Sequence, residues 1–365
     1  MAGSPLINAG LSSANTTTTD LYGKSRIFGS TIDMGAYEHG IDVNVTVFGI
    51  DDKPLANALV IYNKTTYPTN SDGIASFDVM PNSTGSFAAT SKYYTDTVSG
   101  SFTVVNSEIS KTVKLTTLKP ATVLRITADG SGTKTGSSWE NALPADSLQS
   151  AINKVSIPGQ IWVAAGTYSL AKSITTRNDV AIYGGFAGTE DELSKRNVTV
   201  NPTILNGNKT IDYIVNNDDS VNLTAILDGF IITKAIYGGI ISKGGMFANC
   251  TITKDSTYGV SSSTGTFINC VISNNKYGIS NSSGIFTNCV VSGNSSYGVA
   301  YSSGTFANCV ITGNSDGVNN SSGIFTNCSI VKNSNMGIYS EYGTFINCIS
   351  WGNTSNEYVA GTGVM

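Results

Sequence analysis

Histidine is almost missing from this chain: His39 is the only one in 365 residues. The six cysteines all lie between Cys250 and Cys348, and none sits in a CxxC pair. Zinc sites draw on clustered His and Cys at short spacing, so none is expected, and no other cofactor is called for. Charge is also scarce. Asp, Glu, Lys and Arg make up 13% of the residues, against roughly 25% in ordinary globular domains. With 21 basic and 25 acidic side chains the net charge is −4, which offers no general attraction for nucleic acid or anionic lipid. No run approaches the roughly 20 apolar residues of a membrane span. Met1-Ala-Gly-Ser-Pro-Leu6 has neither a basic region nor an apolar core, so no signal peptide is visible there. The expectation is a mature chain or a piece of a longer precursor.

Gly, Ser, Thr and Asn take the place of charge, which suits many tight turns and short stacked strands. The cysteines fall at 250, 270, 289, 309, 328 and 348, alternately 20 and 19 residues apart. Each ends a Phe-x-Asn-Cys quartet that begins at Phe247, Phe267, Phe286, Phe306, Phe325 or Phe345. Asn281–Cys289 recurs letter for letter as Asn320–Cys328, so a 39-residue double unit overlies the single one. A Gly always lies five residues before each later Cys and another eleven before it. The variable residue therefore falls in one turn, between each Cys and the next Gly. Three segments of fixed length with one elastic turn describe a coil of three strands.

Two Gly per unit and many Ser, Asn and β-branched residues exclude a helical solenoid. A unit of 19–20 residues cannot bury its own apolar side chains, but stacked units can. The expected fold is all-β: a right-handed parallel β-helix with three-strand coils of 19–20 residues. Equivalent residues then stack. The Phe and Cys rows should point inward, with Ile240, Val260, Ile279, Val299, Val318 and Ile338 on one strand face. Ile252, Ile272, Val291, Ile311 and Ile330 follow on another. Phe230, 20 residues before Cys250, takes the Cys position. Asp255, Asn275, Asn294, Asn314, Asn333 and Asn353 each follow a Cys by five and read as an asparagine ladder bonded from coil to coil.

Residues 41–118 differ. Short alternating segments such as Val43-Asn-Val-Thr-Val47 are split by turn residues, as in Asn70-Ser-Asp-Gly73. They predict a small antiparallel β-sandwich of about seven strands, of Ig-like or prealbumin-like type. Residues 119–365 form the solenoid. Near 147–155 the spacing of Leu148, Ala151, Ile152 and Val155 predicts a short amphipathic helix. Ser147 would be its N-cap, and the helix would cover the N-terminal end of the coils.

Ser138-Trp-Glu-Asn-Ala-Leu143, Ile161-Trp-Val-Ala-Ala-Gly-Thr-Tyr168, Tyr183-Gly-Gly-Phe-Ala-Gly-Thr-Glu190 and Ile226-Leu-Asp-Gly-Phe230 resemble secreted β-helix proteins of Bacteroidota-like bacteria. Those proteins are related in pattern to polymorphic outer-membrane autotransporters. The resemblance covers about 119–365 and implies an extracellular or cell-surface location. Residues 41–118 resemble carboxypeptidase-regulatory-like spacers, through Lys53-Pro-Leu-Ala-Asn-Ala58 and Asn70–Phe77. That resemblance implies a stalk. Ser4–Gly10 and Asp33–Glu38, within residues 1–40, resemble the segment that closes the C-terminal end of such β-helices. Two explanations fit this order: one period of a tandem array, or a cap that closes the next copy head to tail.

A catalytic centre would need clustered Asp, Glu, Lys or Arg on one outer face. Between 256 and 340 the only charged residues are Lys276, Asp316 and Lys332. Glu190, Asp191, Glu192, Asp218 and Asp219 read as loop solvation. Parallel Cβ vectors make the Cys row one of buried free thiols. Tyr237, Tyr258, Tyr277 and Tyr297 each precede a Gly; they read as a turn-stabilising ladder or as a strip contacting surface glycans. The Ser pairs at 262–263, 282–283, 302–303 and 321–322 read as turn residues or as a flat hydroxyl surface. The functional expectation is a non-enzymatic structural or adhesive repeat protein whose partners are itself or neighbouring domains. The alternative is a carbohydrate-binding or polysaccharide-degrading β-helix.

Overall fold

A computed structural model describes residues 40–355 except 81–82, 105–106 and 120, with the backbone of two further strands, Tyr358–Val359 and Gly363–Val364. The cap-like segment at 1–38 lies outside the described residues. The chain divides into two compact units after residue 120.

In the first unit, β1 (Ile41–Phe48), β2 (Leu59–Tyr62), β3 (Thr65–Pro68), β4 (Ile74–Val79), β5 (Thr84–Thr90), β6 (Val98–Thr103) and β7 (Ile109–Lys114) form two sheets. Their orders are β4-β1-β7 and β3-β2-β5-β6. Period-two burial along β1 turns Val43, Val45 and Val47 into a common core. There Tyr62 stacks on Phe77 at 4.6 Å. Asn63 and Lys64, both at positive φ, close the β2–β3 hairpin with two residues, the turn whose twist matches its strands. The seven strands are present, but the expected wholly antiparallel pairing is not. β7 arrives from the other sheet and pairs parallel to β1, with Val43 opposite Ile109.

The second unit is the right-handed parallel β-helix. Its three parallel sheets hold eleven, nine and eight strands. Each coil contributes in turn to the first, second and third sheet, as Thr266–Ile268, Val271–Ser273 and Tyr277–Ser280 do. Pairing is in register: Phe247 meets Phe267, Ile252 meets Ile272, and Val260 meets Ile279. The six Phe rings are fully buried and stack at 4.5–5.0 Å. Burying each is worth about 1.5–3 kcal/mol, and offset stacking adds about 0.5–1.5.

Between first and second sheets the chain turns on one residue. Asn249, Asn269, Asn288, Asn308, Asn327 and Asn347 sit there at φ between 51° and 55°. Asn tolerates this left-handed region better than other side chains, which accounts for its place before every Cys. Their outward amides also bond along the axis, Asn308 Nδ2 donating to Asn288 Oδ1 at 3.2 Å. The six thiols then face inward, all free and buried. Each donates to backbone carbonyls, as Cys270 Sγ does to Phe247 O at 3.4 Å. Neighbouring thiols Cys250 and Cys289, with burial, hold Cys270 protonated.

The second turn carries the inward asparagines. Asn294 Nδ2 donates to Asn314 Oδ1 (2.9 Å) and Ile272 O (3.2 Å), and its own N–H donates to Asn314 Oδ1 at 3.0 Å. Asn275, Asn314 and Asn333 repeat these bonds, and Asn353 ends the described row.

At the N-terminal end, α1 (Leu148–Lys154) buries Leu148, Ala151 and Ile152 in the solenoid core. Ser147 stands at its N-cap position, as expected, but its side chain makes no capping hydrogen bond. A 3-10 turn at Ala145–Ser147 runs straight into the helix, so Ser147 is itself helical. The helix is held at its other end. Arg177 Nη1 donates to the carbonyls of Ile152, Asn153 and Val155 at 2.8–3.1 Å, satisfying the last turn with a cation where the helix dipole favours one.

Candidate functional site

Inside the coils every face is occupied by packing, so contact with other molecules falls to the outer ranks. The outer rank of the third sheet holds aromatic residues. In register it reads Tyr213, Gly238, Tyr258, Tyr277, with Tyr297 next and Asp316 after it. Tyr258 and Tyr277 stack at 5.4 Å; Tyr277 and Tyr297 tilt by 41° at 5.5 Å. Tyr237 is not in this rank. Gly238 fills the Tyr position of its coil, because Tyr237–Gly238–Gly239 carries one extra residue before the inward Ile240. Tyr237 is instead half exposed and tilted against Tyr213.

A further tyrosine joins the rank that spacing alone did not point to. Tyr301 lies just past the strand end, its ring perpendicular to Tyr297 at 6.3 Å. Its backbone is left-handed, at φ 51°. The equivalent positions of neighbouring coils are also left-handed but hold Ser262, Asn281 and Asn320. A bulky residue is costly there, whereas Asn is tolerated. Tyr301 is nevertheless 51% exposed and so gains little from burial in return.

Around these rings charge is sparse. Lys276 Nζ lies 5.3 Å from the Tyr277 ring centroid. Asp316, buried, accepts from Asn335 Nδ2 at 2.7 Å and from Asn319 Nδ2 at 3.3 Å. Partial burial, with Tyr301 and Asp316 nearby, pushes the Tyr297 hydroxyl up, so it stays a neutral donor. Because Tyr258, Tyr277 and Tyr297 cover one another's faces, the strip presents ring edges and hydroxyls along its length. Tyr301 is the ring set across its end.

The serine pairs do not make a flat hydroxyl surface. Ser263, Ser282, Ser302 and Ser321 are buried. Each accepts the N–H of the serine one coil earlier and donates to the carbonyl two residues before it, as Ser282 Oγ does to Ser280 O at 3.0 Å. One member of each pair is thus structural and cannot face a ligand.

The loop carboxylates have local duties. Against partial burial, which would raise it, the N–H groups of Ala187, Gly188 and Thr189 hold the Glu190 carboxyl below its usual range. Asp191 and Glu192 both pair with Lys195, and Asp218 closes a turn with Ser220. A largely buried ion pair joins Arg196 to Asp228 at 2.8 Å, with Arg196 also over the Tyr183 ring and Asn249 donating to Asp228. Among the described residues no three His, Cys, Asp or Glu side chains come together as metal ligands.

No protein-family model matches the chain, and no curated protein matches it in sequence. The solved structures similar in fold include the pectate lyase Pel9A, at 16% identity and a TM-score of 0.51, over 65% of this chain and 71% of that one. At this identity the likeness establishes the β-helix architecture.

Proposed function

We propose that this chain is an extracellular, carbohydrate-directed β-helix protein that binds a polysaccharide along the tyrosine rank of its third sheet. The observation that carries the reading is Tyr301: an aromatic side chain kept at a left-handed position where Asn or Ser serves the fold, and left half exposed. Backbone cost borne without burial is characteristic of a contact residue. Amphipathic rings with hydroxyl tips, on a wall almost free of charge, suit the mixed hydroxyl and C–H surface of a sugar chain. The fold likeness to a pectate lyase favours this carbohydrate-directed reading over a purely structural stalk.

Binding of a polysaccharide panel to the wild type and to Tyr301→Asn tests it. Asn fits the backbone, so thermal stability should hold or rise while affinity for the bound glycan falls about tenfold, the loss of one modest hot spot. Unchanged affinity would sink the proposal. Turnover of a bound polysaccharide in the same assay would move the protein to the degrading class. Head-to-tail assembly is a separate proposal resting on the sequence of residues 1–38. Deleting them should leave monomers by sedimentation, and assembly that survives the deletion disposes of the idea.

A further inference from the structure

The inward asparagine ladder begins with a residue that is not asparagine. Asp255 occupies the rung before Asn275, and its N–H donates to Asn275 Oδ1 at 2.9 Å as each Asn does to the next. Its Oδ1 accepts the N–H of Ala235 at 2.7 Å, again as in the following rungs. Its other oxygen lies where the rest have nitrogen. A Cβ built on Gly259, Gly278, Gly298 or Gly317 would meet the Nδ2 of Asn275, Asn294, Asn314 or Asn333 at 2.8 Å. One built on Gly239 meets Asp255 Oδ2 at the same 2.8 Å. In the later rungs Nδ2 donates to two acceptors: a carbonyl of the coil before, and the Oδ1 of the next Asn. By register the acceptors facing Asp255 Oδ2 are the Ile232 carbonyl and Asn275 Oδ1. An ionised oxygen there would face two acceptors without a proton between them. Among the described residues Oδ2 is the one buried side-chain oxygen or nitrogen without a hydrogen-bond partner.

We infer that Asp255 keeps its proton in the folded protein and donates it from Oδ2, so that a carboxylic acid acts as the first rung and ties that end of the ladder to pH. The proton supplies the donor that every later rung takes from an amide, and it removes a charge from a site 4% exposed. The groups enclosing the site are Ile232, Ala235, Gly239, Ile252 and Asn275, none of which titrates. The charged residues on the adjoining turns, Lys234 and Lys254, are exposed. Burial pushes the carboxyl up to about 8, against the Ala235 N–H, which lowers it.

The sign follows from linkage. The folded state holds the proton between the ordinary aspartate value of 3.8 and about 8, while the unfolded state releases it. The stability contributed by the acid is complete below that window, declines across it, and is constant above. Urea denaturation of the wild type and Asp255→Asn from pH 4 to 9 tests this, with all other titrations cancelling in the difference. The two should be close at pH 4. Asp255→Asn should then gain on the wild type by up to tenfold in folding constant per pH unit, levelling near pH 8. A difference independent of pH, or an Asp255→Asn protein that does not fold, would overturn the inference. A second readout does not depend on unfolding. The infrared difference between wild type and Asp255→Asn at pH 6 should contain the C=O band of a protonated carboxyl. Carboxylate bands alone would overturn the inference as well.

Discussion

A single ladder asparagine bonds on both sides of its coil. Asn294 donates three times toward Asn314 and Ile272, and its Oδ1 accepts from the N–H and Nδ2 of Asn275. Asn294→Ala therefore removes one side chain and strands donors or acceptors on two coils, in a place no water fills cheaply. Each stranded buried group costs about 1–3 kcal/mol, so a loss of about 3 kcal/mol or more is expected in urea unfolding. The same change at the outward Asn308 breaks only two solvent-facing amide bonds, to Asn288 and from Asn327, and a backbone preference, and should cost less than about 1.5 kcal/mol. The inward row could be read from sequence, since polar residues five after each Cys recur at coil spacing. The outward row stood in every Asn-Cys dipeptide but gave no sign of its left-handed backbone. Tyr301 was hidden for the same reason: nothing in Ala-Tyr-Ser-Ser distinguishes a left-handed tyrosine from a strand one.

At the scale of elements, the third strand tolerates no side chain at Gly239, Gly259, Gly278, Gly298 or Gly317. A Cβ at Gly298 would lie 2.7 Å from both Gly317 O and Ile311 Cγ2, and 2.8 Å from Asn314 Nδ2. These atoms belong to the next coil and are themselves fixed by the ladder. Gly298→Ala should thus destabilise by about 1–3 kcal/mol despite the usual gain in chain entropy, as overpacking does. Gly313→Ala makes a useful contrast. A Cβ there would meet only Gly293 N, at an ordinary 3.8 Å, so its penalty would come from φ of 64°. The Gly rows were visible as punctuation, but their two causes, close approach and handedness, were not. The helix shows a similar limit. Its apolar face was evident in Leu148, Ala151, Ile152 and Val155, whereas its real terminus comes from Arg177, 22–25 residues away. Arg177→Met should leave three carbonyls with water or nothing. It should cost about 1–2 kcal/mol, with faster amide exchange over 148–155 than in the remaining coils.

For the solenoid as a whole, each coil touches chiefly the coils before and after it, so stability should add along the axis as a sum of units and interfaces. The exact 39-residue recurrence permits a clean test. Removing residues 281–319 joins Tyr277–Ser280 directly to Asn320–Cys328. The junction then reads as the native Tyr277–Cys289 does, because Asn281–Cys289 and Asn320–Cys328 are identical. Two coils leave together, so the Phe, Cys and Asn rows close up without a register change, and no charged residue but Asp316 is lost. The shortened protein should fold, keep a parallel-β circular dichroism spectrum, and titrate four free thiols in denaturant instead of six. It should lose stability in proportion to two coils, with little dependence on salt, since so few ion pairs are involved. A ten-residue deletion from Asn281 removes the first-sheet strand Ile285–Thr287, so the chain at the junction cannot complete its coil in register, and should not fold. If the 39-residue deletion failed as badly as the ten-residue one, the coils could not be interchangeable units, and the solenoid would depend on contacts reaching beyond nearest neighbours.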